Sequence, residues 1–527
     1  DVTPEGEAGE LKELNSLLAD LEKVDTKDLS EDDQLNYDIL KTILEAKIAR
    51  ATFDESRLPF TGDWGFHSAL GFSISRMSLK SVKDETAILE KLNAIPEYVD
   101  AHIANMRRGL KTGFVSYRDP LDTVVEQIEE LVAQKPEDSP LYAPFKTLPS
   151  HFSDNHAGRS REMGKKAVMR AQASLQKALT FLKEEYQPKT REKAGVVDFP
   201  DAKAYYKTLV AYHTTLPDMT PEKVHEIGKA EVARIRGEME AIMKEVKFEG
   251  TFAEFLEFLR TDPQFYAKTP EELMARAARY AKDIDYQMPK FFGHLPRLPY
   301  GVEPVPAHIA PGYTTGRYVG GSLKDGKAGI YWVNTYALDQ RPLYELPSLT
   351  AHEAVPGHHH QISIAQELEN VPAFRQSYYA TAFGEGWGLY SESLASEMGL
   401  YKTPYERFGK LSYEMWRACR LVADTGMHWY GWTRAEAETC FKENSALAPL
   451  NIKTEVTRYI GWPGQALGYK IGELKIKELR ARAENALGTE FDIREFHDKV
   501  LEKGALPLAI LEKRIDAWIA EKTKVEE

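Results

Sequence analysis

The sequence predicts a mainly α-helical protein with one small β element, on three observations. Apolar residues recur at three- and four-residue intervals from Leu11 to Thr52 and again along most of the chain up to residue 300. Period-two alternation is scarce in the same half. A single glycine-punctuated, β-rich run then interrupts the helical pattern between Pro311 and Leu338, after which it resumes at Ser348.

Taken in order, LKELNSLLADLEKV and LNYDILKTILEAKIARAT form an early layer of amphipathic helices. RLPFTGDWGFHSALGF (57–72), rich in glycine and aromatics, reads as a loop. Helical spacing returns in Glu85–Gly113, Leu121–Lys135, Arg161–Tyr186 and Val224–Val246. Within 311–338, GIYWVNTY (329–336) is the best strand or hairpin segment. GRYVGG does not follow a strand and open a helix as a dinucleotide fingerprint must, so it does not argue for nucleotide binding. No fixed-period repeat or long linker divides the chain. Residues 1–300 read as a mostly helical part, and 301–527 as a part holding the strands and the C-terminal helices of one continuous unit.

Composition limits the partners. The 527 residues include 68 basic and 81 acidic ones, a net charge of -13, with no basic block to follow a phosphate backbone, which argues against nucleic acid. No run approaches the ~20 apolar residues of a membrane span. Cys419 and Cys440 are too few for a disulfide framework, lie in no C-x-x-C pattern, and are expected to pack as small core residues. The chain starts at Asp1 without a basic or apolar leader, as a chain whose targeting segment has been removed would. That favours an extracytoplasmic location, periplasmic or as a processed lipoprotein, and leaves a cytoplasmic one open.

The chemistry concentrates in TAHEAVPGHHHQ (350–361). In an H-E-x-x-H zinc site two histidines four residues apart share one helical face, with the glutamate beside the metal-bound water. Here Pro356 stands four residues after His352, and His358, His359 and His360 follow at six, seven and eight. On a straight helix His358 would point ~120° away from His352, and His359 would sit ~10 Å along the axis. Pro356, however, clashes with the carbonyl of His352, and Gly357 tolerates unusual backbone geometry. If the resulting deformation removes two residues from the helical count, His358 takes the place of the second ligand and Glu353 stays next to the first. A third ligand is expected in FGEGWGLYSESLASEMG. Glu385 and Glu392 share a helical face there but lie too far apart for one ion; Glu385, between two glycines that admit a close neighbouring helix, is the choice. A second His-Glu pair, at His225, has Lys229 where a ligand should stand and reads as structural.

With HEAVPGH and GEGWGLYSE the sequence resembles the DUF885 family of bacterial proteins, regarded as metallopeptidases related to the H-E-x-x-H plus Glu clan. The resemblance continues through YVGGSLKDGKAGIYWVNTY, RACRLVADTGMH and TEVTRYIGWPGQALGYKIG, over most of the chain. It implies a helical, gluzincin-like molecule with a deep cleft and a small sheet beside the zinc helix. Residues 1–300 would form one side of that cleft. One Zn²⁺ per chain would be held by His352, His358 and Glu385, with Glu353 as catalytic acid and base; His359 also fits the family's histidine pair, and His360 is not carried over.

Tyr469, Tyr459 and His428, each in a shared motif, are candidates to donate to the oxyanion. In related peptidases a strand edge by the zinc helix pairs with peptide backbone, a role for which GIYWVNTY is placed, with Asn334 and Thr335 near its end. Arg458 could hold a substrate carboxylate. The expected activity is hydrolysis of oligopeptides, as an oligopeptidase or carboxypeptidase. The alternatives are a zinc amidohydrolase acting on a non-peptide amide or modified amino acid, and a non-catalytic peptide-binding protein, against which the intact Glu353 argues.

Overall fold

Short hydroxyl side chains start many of the long helices. In the computed structural model of the chain, which describes residues 1–61, 64–307 and 310–524, Ser30, Ser81, Ser153, Thr220 and Thr269 each accept a hydrogen bond from a backbone N–H of the first turn. Thr251, Thr403 and Thr433 add a glutamate three residues on that bonds back, a complete capping box. These caps satisfy donors that a helix leaves free, so the apolar periodicity becomes discrete rods. Helix makes up 69% of the chain and strand 4%.

The helices of eight residues or more are, in the first half, α1 (Pro4–Leu21), α2 (Glu31–Ala51), α3 (Phe66–Ser75), α4 (Val82–Thr112), α5 (Arg118–Ala133), α6 (Asp154–Phe181), α7 (Ala202–Thr214), α8 (Pro221–Glu245), α9 (Phe252–Thr261) and α10 (Pro270–Asp285). After the strands come α11 (Leu346–Glu353), α12 (His358–Gln366), α13 (Thr381–Glu397), α14 (Pro404–His428), α15 (Arg434–Asn444), α16 (Pro449–Gly461), α17 (Gly468–Leu487), α18 (Ile493–Leu501) and α19 (Leu508–Lys524). The expected loop at 57–72 is partly a correction: from Phe66 onward it is α3, because burying Phe66, His67 and Ile74 outweighs the glycines. Gly62 and Asp63 of that run lie outside the described residues.

The strands are β1 (Tyr300–Pro304), β2 (Gly316–Val319) and β3 (Gly329–Val333). They form one sheet in the order β1-β3-β2, with β1 parallel and β2 antiparallel to β3. GIYWVNTY is therefore a strand over its first five residues, but the central one. Its backbone is hydrogen-bonded on both sides, so it cannot offer the edge expected of it; β2 and β1 are the edges.

One apolar core, from Phe60 to Tyr186, belongs to α3–α6 and their connections. The other cores join early and late segments: Leu35 and Ile39 of α2 pack with Trp387 and Trp518, and Ile235 and Met239 of α8 with Met415 and Ala418 of α14. α14 is buried along nearly its whole length and forms the axis against which α8, α11 and α17 lie. Among the described residues no helix is long and apolar enough to cross a membrane.

Cys419 and Cys440 do not pack as separate thiols. They are bonded to each other, Cα atoms 5.7 Å apart, tying α14 to α15. Two cysteines 21 residues apart carry no pairing signal in sequence; the antiparallel turn between these helices brings them together.

Candidate metal centre

α11 stops at Glu353 because its next turn cannot form. Pro356 has no N–H to give the His352 carbonyl. Ala354 leaves helical geometry at φ -91°, ψ -116°. Wider turns replace the lost bond: Gly357 N–H donates to Ala351 O at 3.0 Å and His359 N–H to Ala354 O at 3.1 Å. A Cβ on Gly357 would lie 1.9 Å from the His352 oxygen, so the break needs glycine there. α12 then begins at His358, turned back towards His352, with the two rings edge to face at 4.7 Å.

α13 supplies the third side chain. Glu385 Oε2 lies 3.5 Å from His352 Nε2 and 3.3 Å from His358 Nε2. These three are the group of His, Cys, Asp and Glu residues able to share a metal ion among the described residues. Donors at about 2.1 Å from a tetrahedral zinc stand about 3.4 Å apart, so the residues present fit zinc with three protein ligands. The glycines beside Glu385 act as expected in one case: Gly386 meets Gly472 of α17, where a Cβ would come within 2.5 Å of backbone. Burial works to raise the Glu385 carboxyl pKa, but the His358 and His352 rings outweigh it and hold it well below the usual range. Burial likewise opposes charge on His352, yet Glu385 and Glu392 push its ring up to about 10. The pocket thus calls for positive charge, which a divalent cation also provides.

His359 and His360 point elsewhere. His359 Nδ1 bonds the Tyr318 hydroxyl at 3.0 Å and its ring packs on Tyr300, burial drawing it down to about 4. His360 is buried against Phe292. His225 of the second His-Glu pair bonds Thr425 at 2.8 Å, and Lys229 pairs with Glu226.

Glu353 is half-buried at the end of α11, its Oε2 accepting from Tyr318 N–H of β2 at 2.7 Å. That N–H points away from β3, so β2 is the sheet edge that faces the His-Glu cluster.

Three of the remaining expected residues are committed to the fold. His428 accepts from Val196 N–H on Nδ1 at 3.2 Å and donates from Nε2 to Tyr459 O at 3.0 Å; burial takes it down to about 3, so it is a neutral packing histidine. Tyr459 donates to Glu455 at 2.7 Å and accepts from Arg420 and Trp416. Asn334 gives both amide protons to the carbonyls of Ala310, Tyr313 and Thr314 and accepts from Tyr336 N–H, pinning the 310–315 turn. None of the three has a donor left for substrate. Thr335 is half-buried in the turn after β3. Tyr469 lies under the Arg420 guanidinium, 4.2 Å from ring centre, and its hydroxyl meets Arg458.

Two side chains at the centre take roles that spacing did not assign to them. Glu392 accepts from His352 Nδ1 at 2.8 Å and is itself approached by Arg417 at 3.4 Å, so it orients the ring. Its signal was the seven-residue repeat after Glu385, two turns along the same face. Tyr379 lies over Gly384 with its hydroxyl hydrogen-bonded to Glu385; the residue keeps 47% of its surface exposed, but desolvation of the hydroxyl together with Glu385, Tyr469 and Glu353 keeps it protonated above the usual range. Only the tyrosine pair at 378–379, six residues before Glu385, hinted at it. Two small cavities, one lined by Asn334, Arg341 and Glu345 and one by Phe60, Tyr117 and Arg191, do not include the cluster.

Comparison with known proteins gives the fold a family. The model of the family described as "Bacterial protein of unknown function (DUF885)" matches residues 1–515. A crystal structure described as a "putative lipoprotein" from Colwellia psychrerythraea is 27% identical, with a TM-score of 0.90 over 99% of this chain and 92% of its own. A second, a "putative lipoprotein of unknown function" from Shewanella oneidensis, is 18% identical with a TM-score of 0.74 over 97% of this chain and 92% of its own, a likeness of fold. No curated protein matches the chain.

Proposed function

The chain belongs to the DUF885 family, and within it we propose that this protein is a zinc-dependent peptidase acting on oligopeptides. The observation that carries the reading is the spacing of His352 Nε2 and His358 Nε2 about Glu385 Oε2, 3.5 and 3.3 Å, with Glu353 alongside. Zinc held there supplies Lewis acidity, polarising a scissile carbonyl and making a water easier to deprotonate.

The protein's own groups do the rest. Glu353, with Oε2 fixed by Tyr318 N–H, takes the proton of the attacking water on its other oxygen and returns it to the leaving amine. Tyr379, held protonated, donates to the carbonyl oxygen as charge develops on it, the part the sequence offers to Tyr469, Tyr459 or His428. The edge of β2 pairs with extended substrate backbone, which gives affinity without demanding a side-chain sequence. Glu392 and Arg417 keep His352 in the tautomer that presents Nε2.

An extracytoplasmic location is supported by the disulfide, which persists in oxidising compartments, and by the lipoprotein descriptions of the two similar structures.

The test pairs metal analysis with a peptide screen. About one zinc per chain in the parent, little in His352→Ala, and cleavage of a mixed peptide library that disappears in Glu353→Gln is the expected result. Absence of zinc after reconstitution, or full cleavage by Glu353→Gln, would overturn it.

A further inference from the structure

Arg458 and Arg420 share a single acidic partner. Arg420 of α14 is 2% exposed, and its Nη2 lies 3.0 Å from Glu455 Oε2. The same Glu455 oxygen already accepts from the Tyr459 hydroxyl at 2.7 Å. Arg458 reaches the other Glu455 oxygen only at 3.9 Å, and its close side-chain acceptors among the described residues are neutral, the Gln465 amide at 2.7 Å and the Tyr469 hydroxyl. Arg420 Nη1, fully buried, has no hydrogen-bond partner. Two guanidinium groups and one carboxylate leave a surplus positive charge in a largely desolvated place, an arrangement that is costly unless an anion completes it.

The surplus is contiguous with the metal cluster. Tyr469 stacks under Arg420 and meets Arg458 with its hydroxyl; Tyr379 interacts with both Tyr469 and Glu385. The Arg458 side chain keeps 27% of its surface exposed, so the charge is open to solvent on one side. Planar guanidinium and planar carboxylate match in two parallel hydrogen bonds.

We propose that Arg458, backed by Arg420 and positioned by Tyr469, binds the C-terminal carboxylate of the substrate, so that the enzyme removes residues from the free C-terminus of peptides. The inference rests on the peptidase reading above and adds the substrate class, peptides ending in a free carboxylate. A carboxylate there supplies the missing negative charge and takes the donors that Gln465 and Tyr469 leave over. A C-terminal amide carries no charge and leaves the surplus unrelieved.

The zinc-loaded protein is incubated with one N-acetylated peptide library in two forms, free acid and C-terminal amide, and products are read by mass spectrometry. Loss of single C-terminal residues from the acids, with kcat/KM for a matched acid over its amide on the order of 100-fold, is the expected result. In Arg458→Gln that ratio falls to within about threefold, and Arg458→Lys restores part of it. Zinc content and circular dichroism of each variant confirm that it folds. Equal cleavage of acids and amides, or cleavage at internal bonds, overturns this inference and leaves the peptidase reading standing. No cleavage of either form by the zinc-loaded protein overturns the peptidase reading, and this inference with it.

Discussion

Glu392 accepts a hydrogen bond from Nδ1 of His352 at 2.8 Å, while Nε2 of the same ring faces Glu385. Two glutamates seven residues apart on α13 therefore hold one imidazole from its two nitrogens, one from behind and one across the proposed ion. The length of two helical turns, about 10.5 Å, spans the ring and the gap on either side of it.

Glu392→Gln should weaken zinc binding about 10- to 100-fold, because the ring loses the carboxylate that fixes its tautomer and Arg417 loses its charge partner. Zinc titration against a competing chelator checks this. Unchanged affinity would make Glu392 a packing residue.

Glu353→Gln should keep the zinc and lose about 10²- to 10⁴-fold in kcat, the range for losing a positioned acid-base group. Single-turnover rates on a cleaved library peptide, with metal content measured on the same sample, separate the two effects.

Asp424, fully buried between the Tyr206 hydroxyl at 2.5 Å and Gly464 N–H at 3.0 Å, is raised to about 7 by burial. A carboxyl whose folded pKa lies above its unfolded value binds more protons in the native state. Its contribution is thus complete below about pH 4 and is lost as pH rises to 7, at up to about 1.4 kcal/mol per unit. Asp424→Asn should remove this slope. Denaturant titrations of parent and variant from pH 4 to 8, taken as a difference, isolate it; parallel curves would count against a protonated Asp424.

Reducing the bond between Cys419 and Cys440, which closes 21 residues of chain, should cost roughly 3 kcal/mol through the freedom restored to the unfolded state. Calorimetry with and without reductant, and on the double alanine variant, should show the melting temperature fall in both cases.

Much of this was readable along the chain. The helices follow from apolar spacing and from caps such as Thr403 with Glu406, both local properties. The break after Glu353 follows from the missing N–H of Pro356, and with it the return of His358 to His352. Nothing local told Tyr469, Tyr459 and His428 from Tyr379. All are tyrosines or histidines near suggestive motifs, and which one turns its donor towards Glu385 depends on what neighbouring helices bring to it. The strand at Gly329–Val333 was visible as a strand, but its central place was not, because pairing partners lie about thirty residues away on one side and about fifteen on the other.

By itself, then, the sequence determined the helical class and the break after Glu353, since each rests on backbone chemistry within a few residues, and it offered His352, His358 and Glu385 as a ligand set. The tertiary structure alone decided that β2 is the edge beside Glu353, that Glu392 stands behind His352, that Cys419 meets Cys440, and that Arg420 and Arg458 share one glutamate. Each of these is a contact between elements far apart in the chain, set by how buried faces pack, and side-chain spacing along one element carries no record of what another places opposite it.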